Sequence, residues 1–174
     1  MKNGLKFENK TKLSDLLDKH PSFNVDDNRV YFNNDEVGLI VSQNKLYKWL
    51  DEVNPNWKNL TNKTLNPDEA LLNRINNTLY IIEKKYQETE GSVDEKLQTF
   101  HFKIWFYEKI TKDLNINIDF AYLLSDWFFE KKYTQGWREG TLKYQEILNY
   151  LDLNNINVFR KEIPLDYLFP NMNL

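Results

Sequence analysis

Residues 79–82, Leu-Tyr-Ile-Ile, are apolar at odd and even positions alike. Side chains alternate across a strand, so a run with no polar face must be covered on both sides. Residues 78–82 therefore read as a central strand of a sheet, not as one arm of an edge hairpin. A second apolar run, Leu71-Leu72-Asn73-Arg74-Ile75, precedes it. Asn76-Asn77 lies between them and suits a two-residue turn, because Asn tolerates the left-handed backbone. That loop pairs Ile75 with Thr78, Ala70 with Glu83 and Asp68 with Lys85.

This register has a chemical consequence. Asp68, Glu83, Lys85 and Gln87 fall on one face at the charged end of the hairpin. Opposed Cβ atoms lie roughly 5 Å apart and diagonal ones about 7–8 Å. Two carboxylates and a lysine at that spacing can hold one divalent ion and activate a water against a phosphodiester. A slip of one residue would turn Asp68 to the other face. Acid-x-Lys triplets also occur at Glu8-Asn9-Lys10, Asp94-Glu95-Lys96 and Glu130-Lys131-Lys132. Only Glu83-Lys84-Lys85 ends an apolar strand with an aspartate at hairpin distance. The alternative is a frayed hairpin in which Lys85 merely pairs with Asp68.

Pro67-Asp68 followed by Glu83-x-Lys85 resembles the signature of the PD-(D/E)XK nuclease superfamily. The longer runs Pro67-Asp68-Glu69-Ala70, Tyr80-Ile81-Ile82-Glu83-Lys84-Lys85-Tyr86-Gln87 and Gly91-Ser92-Val93-Asp94-Glu95-Lys96-Leu97-Gln98-Thr99 are similar to a group of type II restriction endonucleases. So are an aromatic-rich helix, a strand ending near Asp126-Trp127-Phe128, and Ile163-Pro164-Leu165-Asp166. The likeness covers roughly residues 64–169 and leaves the first 60 unassigned. It implies a restriction-endonuclease-like α/β fold and Mg²⁺-dependent, site-specific cleavage of double-stranded DNA, with Mn²⁺ as substitute. A homodimer and a cognate DNA methyltransferase follow as expected partners. Asp68, Glu83 and the Lys84 carbonyl would be metal ligands. Lys85 would orient the attacking water, and Gln87 would touch the water or the phosphate. A further acid often comes from an earlier helix in this superfamily, and Asp51 and Glu52 are both open.

The rest of the composition narrows the choice. The chain has 174 residues, 41% of them hydrophobic, which suits a single domain with a real core. It has no cysteine, which removes disulfides and thiolate metal sites and fits a reducing cytoplasm. No apolar leader or membrane-length run is visible. His20 and His101 are the only histidines, too few for a His-Asn-His nuclease or a histidine zinc site. His20 is expected to end a helix and His101 to pack among aromatics. The net charge of -3 speaks against DNA binding unless the basic residues are gathered in one place.

Residues 11–19 read as a helix with Leu13, Leu16 and Leu17 inside. Residues 29–41 read as a hairpin around Asn33-Asn34-Asp35-Glu36. Ser42 can cap a helix to residue 53 with Leu46, Trp49, Leu50 and Val53 inside. Ser92-Val93-Asp94-Glu95 is a capping box for a helix to about residue 114. Lys96 and Gln98 in its first turns suit phosphate. A strand at 118–124, a helix at 141–151 and a strand at 156–159 complete a mixed central sheet flanked by helices, with residues 1–60 as an N-terminal extension. Lys131-Lys132-Tyr133-Thr134-Gln135-Gly136-Trp137-Arg138 joins basic, amide and aromatic groups. Lys131, Lys132, Gln135 and Arg138 are the candidate DNA contacts there; the alternative is a surface loop with Trp137 packed. Trp105, Phe106, Trp127, Phe128 and Phe129 read as core or dimer contacts. Two other functions stay open, a repair or phage nuclease that recognises DNA structure and a non-catalytic immunity protein.

Overall fold

The computed structural model describes residues 2–89, 91, 93–172 and 174. Seven strands form one mixed sheet in sequence order. They are β1 (Phe23–Asp26), β2 (Arg29–Phe32), β3 (Asp35–Ile40), β4 (Glu69–Asn73), β5 (Thr78–Lys85), β6 (Asn117–Leu124) and β7 (Asn157–Arg160). Pairing is antiparallel from β1 to β5, then parallel through β6 to β7.

The helices are α1 (Lys2–Lys10), α2 (Leu13–Leu17), α3 (Lys45–Val53), α4 (Val93–Leu97), α5 (Phe100–Thr111), α6 (Trp127–Glu130), α7 (Gln145–Leu153) and α8 (Leu165–Leu168). None is long and apolar enough to cross a membrane. The alternation of β5 sorts the core into two layers. Leu79 and Ile81 point to the layer of α3, α5 and α7, with Leu50, Tyr107 and Leu151. Tyr80 and Ile82 point to the layer of α2 and α8, with Leu17 and Leu168. The strand is buried on both faces, as its unbroken apolar run requires.

The β4–β5 register differs from the expected one. Asn73 pairs with Thr78 and Ala70 with Ile81, so residues 74–77 form a four-residue loop. The cause is the Asn73 side chain. Its Oδ1 accepts the Ile75 and Asn76 N–H groups at 2.7 and 3.3 Å, while Asn76 Oδ1 accepts Thr78 N–H at 3.1 Å. These side-chain turns widen the loop. Because the slip is two residues, each side chain stays on its expected face. Ile75 leaves the strand and is exposed.

Other boundaries move as well. Residues 1–40 carry two elements the sequence reading lacks, α1 and β1. β1 joins β2 through Asp27-Asn28 and β2 joins β3 through Asn33-Asn34, all four with positive φ, the backbone of tight hairpins. β3 pairs onto β4, so the early strands extend the same sheet. The helix expected from Ser42 begins at Lys45, because Ser42 Oγ is bound to Glu69 and Ala70 instead. Val53 is exposed. The single helix expected over 92–114 is two, broken at Gln98-Thr99, and Ser92 of its capping box lies outside the described residues. α7 starts four residues late. His101 is exposed rather than packed, with its Nε2 3.4 Å from the Tyr150 hydroxyl.

Candidate active site

The even positions of β4 and the odd positions of β5 face α5. Asp68, one residue before β4, and Glu83 and Lys85, at the end of β5, therefore meet beneath that helix. The Lys85 ammonium donates to Glu83 Oε2 at 2.8 Å, to the Lys84 carbonyl at 3.1 Å and to Asp68 Oδ2 at 3.3 Å. Asp68 Oδ2 also accepts the Lys84 N–H at 2.7 Å, which ties the aspartate to the strand. Burial alone would lower the Lys85 pKa, but the Glu83 and Asp68 carboxylates outweigh it and hold the lysine above its ordinary value. The group is thus a cation at neutral pH.

A fourth residue enters from α5. Lys103 Nζ lies 2.5 Å from Glu83 Oε2. The sequence reading missed it, yet a signal exists. Lys103 is three residues past Phe100 and four before Tyr107, both fully buried, so it interrupts an apolar stripe. A lysine there needs a buried acidic partner. Tyr107 and Tyr122 pack nearby, and burial, reinforced by the Glu83 carboxylate, pushes both hydroxyls above the ordinary tyrosine range.

Asp68 Oδ2, Glu83 Oε2 and the Lys84 carbonyl thus converge on one positive charge. That donor set consists of hard oxygens, the chemistry of a Mg²⁺ or Mn²⁺ ligand shell. Among the described residues no three acidic or histidine side chains are grouped so as to hold a metal ion by themselves. An ion here would take two carboxylates and a carbonyl and keep water at its other positions.

The remaining candidates lie elsewhere. The Lys84 side chain points to the other face and is buried against Glu69 at 2.8 Å and the Glu8 carbonyl at 3.1 Å. Gln87 lies past the end of β5, where its amide donates to the Thr89 carbonyl at 2.7 Å, and its Oε1 is buried without a hydrogen-bond partner among the described residues. It does not bond to Asp68, Glu83 or Lys85. Asp51 is held by Trp57 Nε1 at 2.9 Å and Lys58 at 2.8 Å, and Glu52 is exposed. Lys96 and Gln98 are exposed, on α4 and on the turn after it. Lys132, Gln135 and Arg138 are exposed and Lys131 half-buried on a loop between α6 and α7. Trp137 in that loop is 90% exposed, the opposite of packed. Of the other aromatics, Phe106 and Phe128 are core, whereas Trp105 is half-exposed.

A family model described as PD-(D/E)XK nuclease superfamily domain matches residues 18–121. The match takes in β1 to β5, α5 and the four clustered residues, and it begins well before the stretch on which the sequence resemblance rests. No curated protein and no solved structure matches the chain.

Proposed function

Because the chain belongs to the PD-(D/E)XK nuclease superfamily, we propose that it is a Mg²⁺-dependent, site-specific endonuclease of double-stranded DNA, of the type II restriction kind. The observation that carries this reading is the convergence of Asp68, Glu83, the Lys84 carbonyl and Lys85 at one end of the central strand. A divalent ion bound there supplies Lewis-acid activation of water and neutralises charge on the phosphate. Asp68 and Glu83 would hold that ion and are themselves held, by the Lys84 N–H and by Lys103. Lys85, already positive, donates a hydrogen bond to the attacking water and stabilises the charge that builds on the phosphate oxygens. Gln87, whose buried Oε1 has no hydrogen-bond partner among the described residues, would accept a water proton if its side chain turned toward the cluster. Lys96, Gln98, Lys131, Lys132, Gln135 and Arg138 would contact DNA around the site. One catalytic cluster per chain and two strands to cut favour a homodimer on a symmetric site. A DNA methyltransferase would protect the host's own copies.

Digestion of long unmethylated phage DNA tests the reading, with Mg²⁺, with EDTA, and with Glu83→Gln and Lys85→Met. Discrete fragments that need Mg²⁺ and vanish in Glu83→Gln are expected. Lys85→Met should slow cleavage by about 10²- to 10³-fold. A smear would replace site-specific cutting with recognition of DNA structure. Intact DNA from every preparation would overturn the restriction reading.

A further inference from the structure

The chain between α6 and α7 is a hairpin finger. Lys132 and Leu142 form an antiparallel bridge. Tyr133 N–H donates to the Thr141 carbonyl and Gly140 N–H to the Tyr133 carbonyl, each at 3.0 Å, and Lys143 N–H donates to the Lys131 carbonyl at 2.8 Å. Gly136 and Gly140 both have φ of +81° and open space around them, so the tip is built from two left-handed turns. Between them stands Trp137, 90% exposed. An indole left in water at the end of a bonded hairpin contributes nothing to the core.

Its neighbours indicate what covers it. The Arg138 guanidinium carbon is 4.2 Å from the Tyr133 ring centre and 5.0 Å from that of Trp137. Residues 131–143 carry four basic side chains (Lys131, Lys132, Arg138, Lys143) against one acidic, Glu139. That is a local charge of +3 on a chain of net -3. Protein–protein contact cores are depleted of lysine, and three of these four cations are lysines, whereas aromatic rings ringed by cations are the platform on which nucleobases stack. A surface hollow of about 410 Å³ runs along Tyr133, Trp137, Arg138 and Gln145.

The finger is also fixed to the catalytic strand. β6 lies parallel to β5 with Leu124 opposite Lys85, and the Ser125 N–H donates to the Lys85 carbonyl at 3.0 Å. α6 follows at once. At the finger's other root Tyr144 is buried, its hydroxyl accepting from Trp127 Nε1 at 3.0 Å and its ring against Phe128. The finger therefore leaves the sheet at the strand end that carries Lys85.

We propose that Trp137 stacks on a nucleobase of the bound DNA at an opened or unpaired step, with Tyr133 lining the same hollow and Arg138 and Lys132 holding the adjacent phosphates. This rests on the nuclease reading and adds to it the displacement of one base at the bound step. A step with a missing partner is cheapest to open, so a duplex with a single-nucleotide bulge binds more tightly than the fully paired one.

The test uses the full chain carrying Glu83→Gln, with Mg²⁺ present, and fluorescein-labelled duplexes with and without one bulged nucleotide. Adding Trp137→Ala should weaken binding of the bulged duplex by roughly 5- to 150-fold, the worth of one stacked base. Trp137→Phe should restore most of it. Trp137→Ala should leave the salt dependence of binding unchanged, whereas Arg138→Ala should lower its log–log slope by about one. Equal binding by Trp137→Ala and its parent overturns the proposal, as does loss of a dimer in Trp137→Ala by sedimentation, which would make the finger a protein contact. If the wild-type chain cuts phage DNA while Trp137→Ala binds normally, the stacking inference alone fails. If the wild-type chain neither binds nor cuts DNA, the nuclease reading fails with it.

Discussion

Lys103 Nζ lies 2.5 Å from Glu83 Oε2, closer than Lys85 at 2.8 Å on the same oxygen. One carboxylate oxygen is therefore shared by two ammonium groups from two elements, β5 and α5. Any divalent ion that takes Glu83 must compete with both.

Lys103→Met is therefore expected to tighten divalent-ion binding. Removing a unit charge at contact distance from a ligand oxygen should strengthen Mn²⁺ binding by about tenfold, or roughly 1.4 kcal/mol. Calorimetric titration of the free protein with Mn²⁺ at low salt measures this. Unchanged or weaker binding would mean that Lys103 supports the carboxylate's position instead of competing for it.

Glu69→Ala is expected to cost about 3–5 kcal/mol of stability. Lys84 and Glu69 pair at 2.8 Å with side chains only 2% and 10% exposed, on the face away from the catalytic cluster. Truncation leaves the ammonium buried with, among the described residues, only the Glu8 carbonyl as hydrogen-bond partner. Urea unfolding of Glu69→Ala against Lys84→Met tests the asymmetry. The lysine replacement removes the orphaned charge and should cost less, so an equal or larger loss would refute this account.

Gly38→Ala should destabilise the sheet by about 1–3 kcal/mol. A Cβ built on Gly38 would stand 2.8 Å from the Leu72 carbonyl oxygen, a backbone atom of the neighbouring strand. That carbonyl cannot retreat without moving β4, which leads from Asp68. Thermal unfolding reads the loss, and a stability equal to wild type would show that β3 shifts freely.

Stability should fall steeply in alkali. The Tyr47 hydroxyl donates to the Leu65 carbonyl at 2.5 Å and accepts its N–H at 2.6 Å, and burial pushes its pKa up to about 12. The folded value lies above the unfolded value of about 10. The neutral phenol thus stabilises the fold fully below pH 10, and that contribution is lost as the pH rises through 12. Tyr47→Phe should cost about 1–3 kcal/mol at neutral pH, from the Leu65 N–H left unpaired, since the Leu65 carbonyl keeps the Tyr107 hydroxyl at 3.2 Å. It should also flatten the alkaline decline. An unaltered pH profile in denaturant titrations would place the decline on Tyr107, Tyr122 and Tyr167, whose hydroxyls burial also raises.

Much of this was legible from the chain alone. The unbroken apolar run 79–82 placed β5 at the sheet's centre, and alternation put Asp68, Glu83 and Lys85 on one face. The face survived an error of register because the loop is longer by two residues, an even number. The loop length itself was hidden, since it depends on how Asn73 and Asn76 spend their side-chain amides. α1 and β1 were unreadable for a related reason. Residues 3–10 of α1 are nowhere fully buried and show no continuous apolar stripe, and β1 contributes only Phe23 to the deep core.

Local sequence thus determined the central strands, which face their residues take and which acids stand beside Lys85, because side-chain periodicity is a property of the backbone alone. Tertiary structure decided that Lys103 joins Glu83, that Gln87 turns to Thr89, and that Trp137 stands in solvent. These depend on where α5 and the 131–143 finger land on the sheet, which the sum of many packed contacts sets and no short motif records.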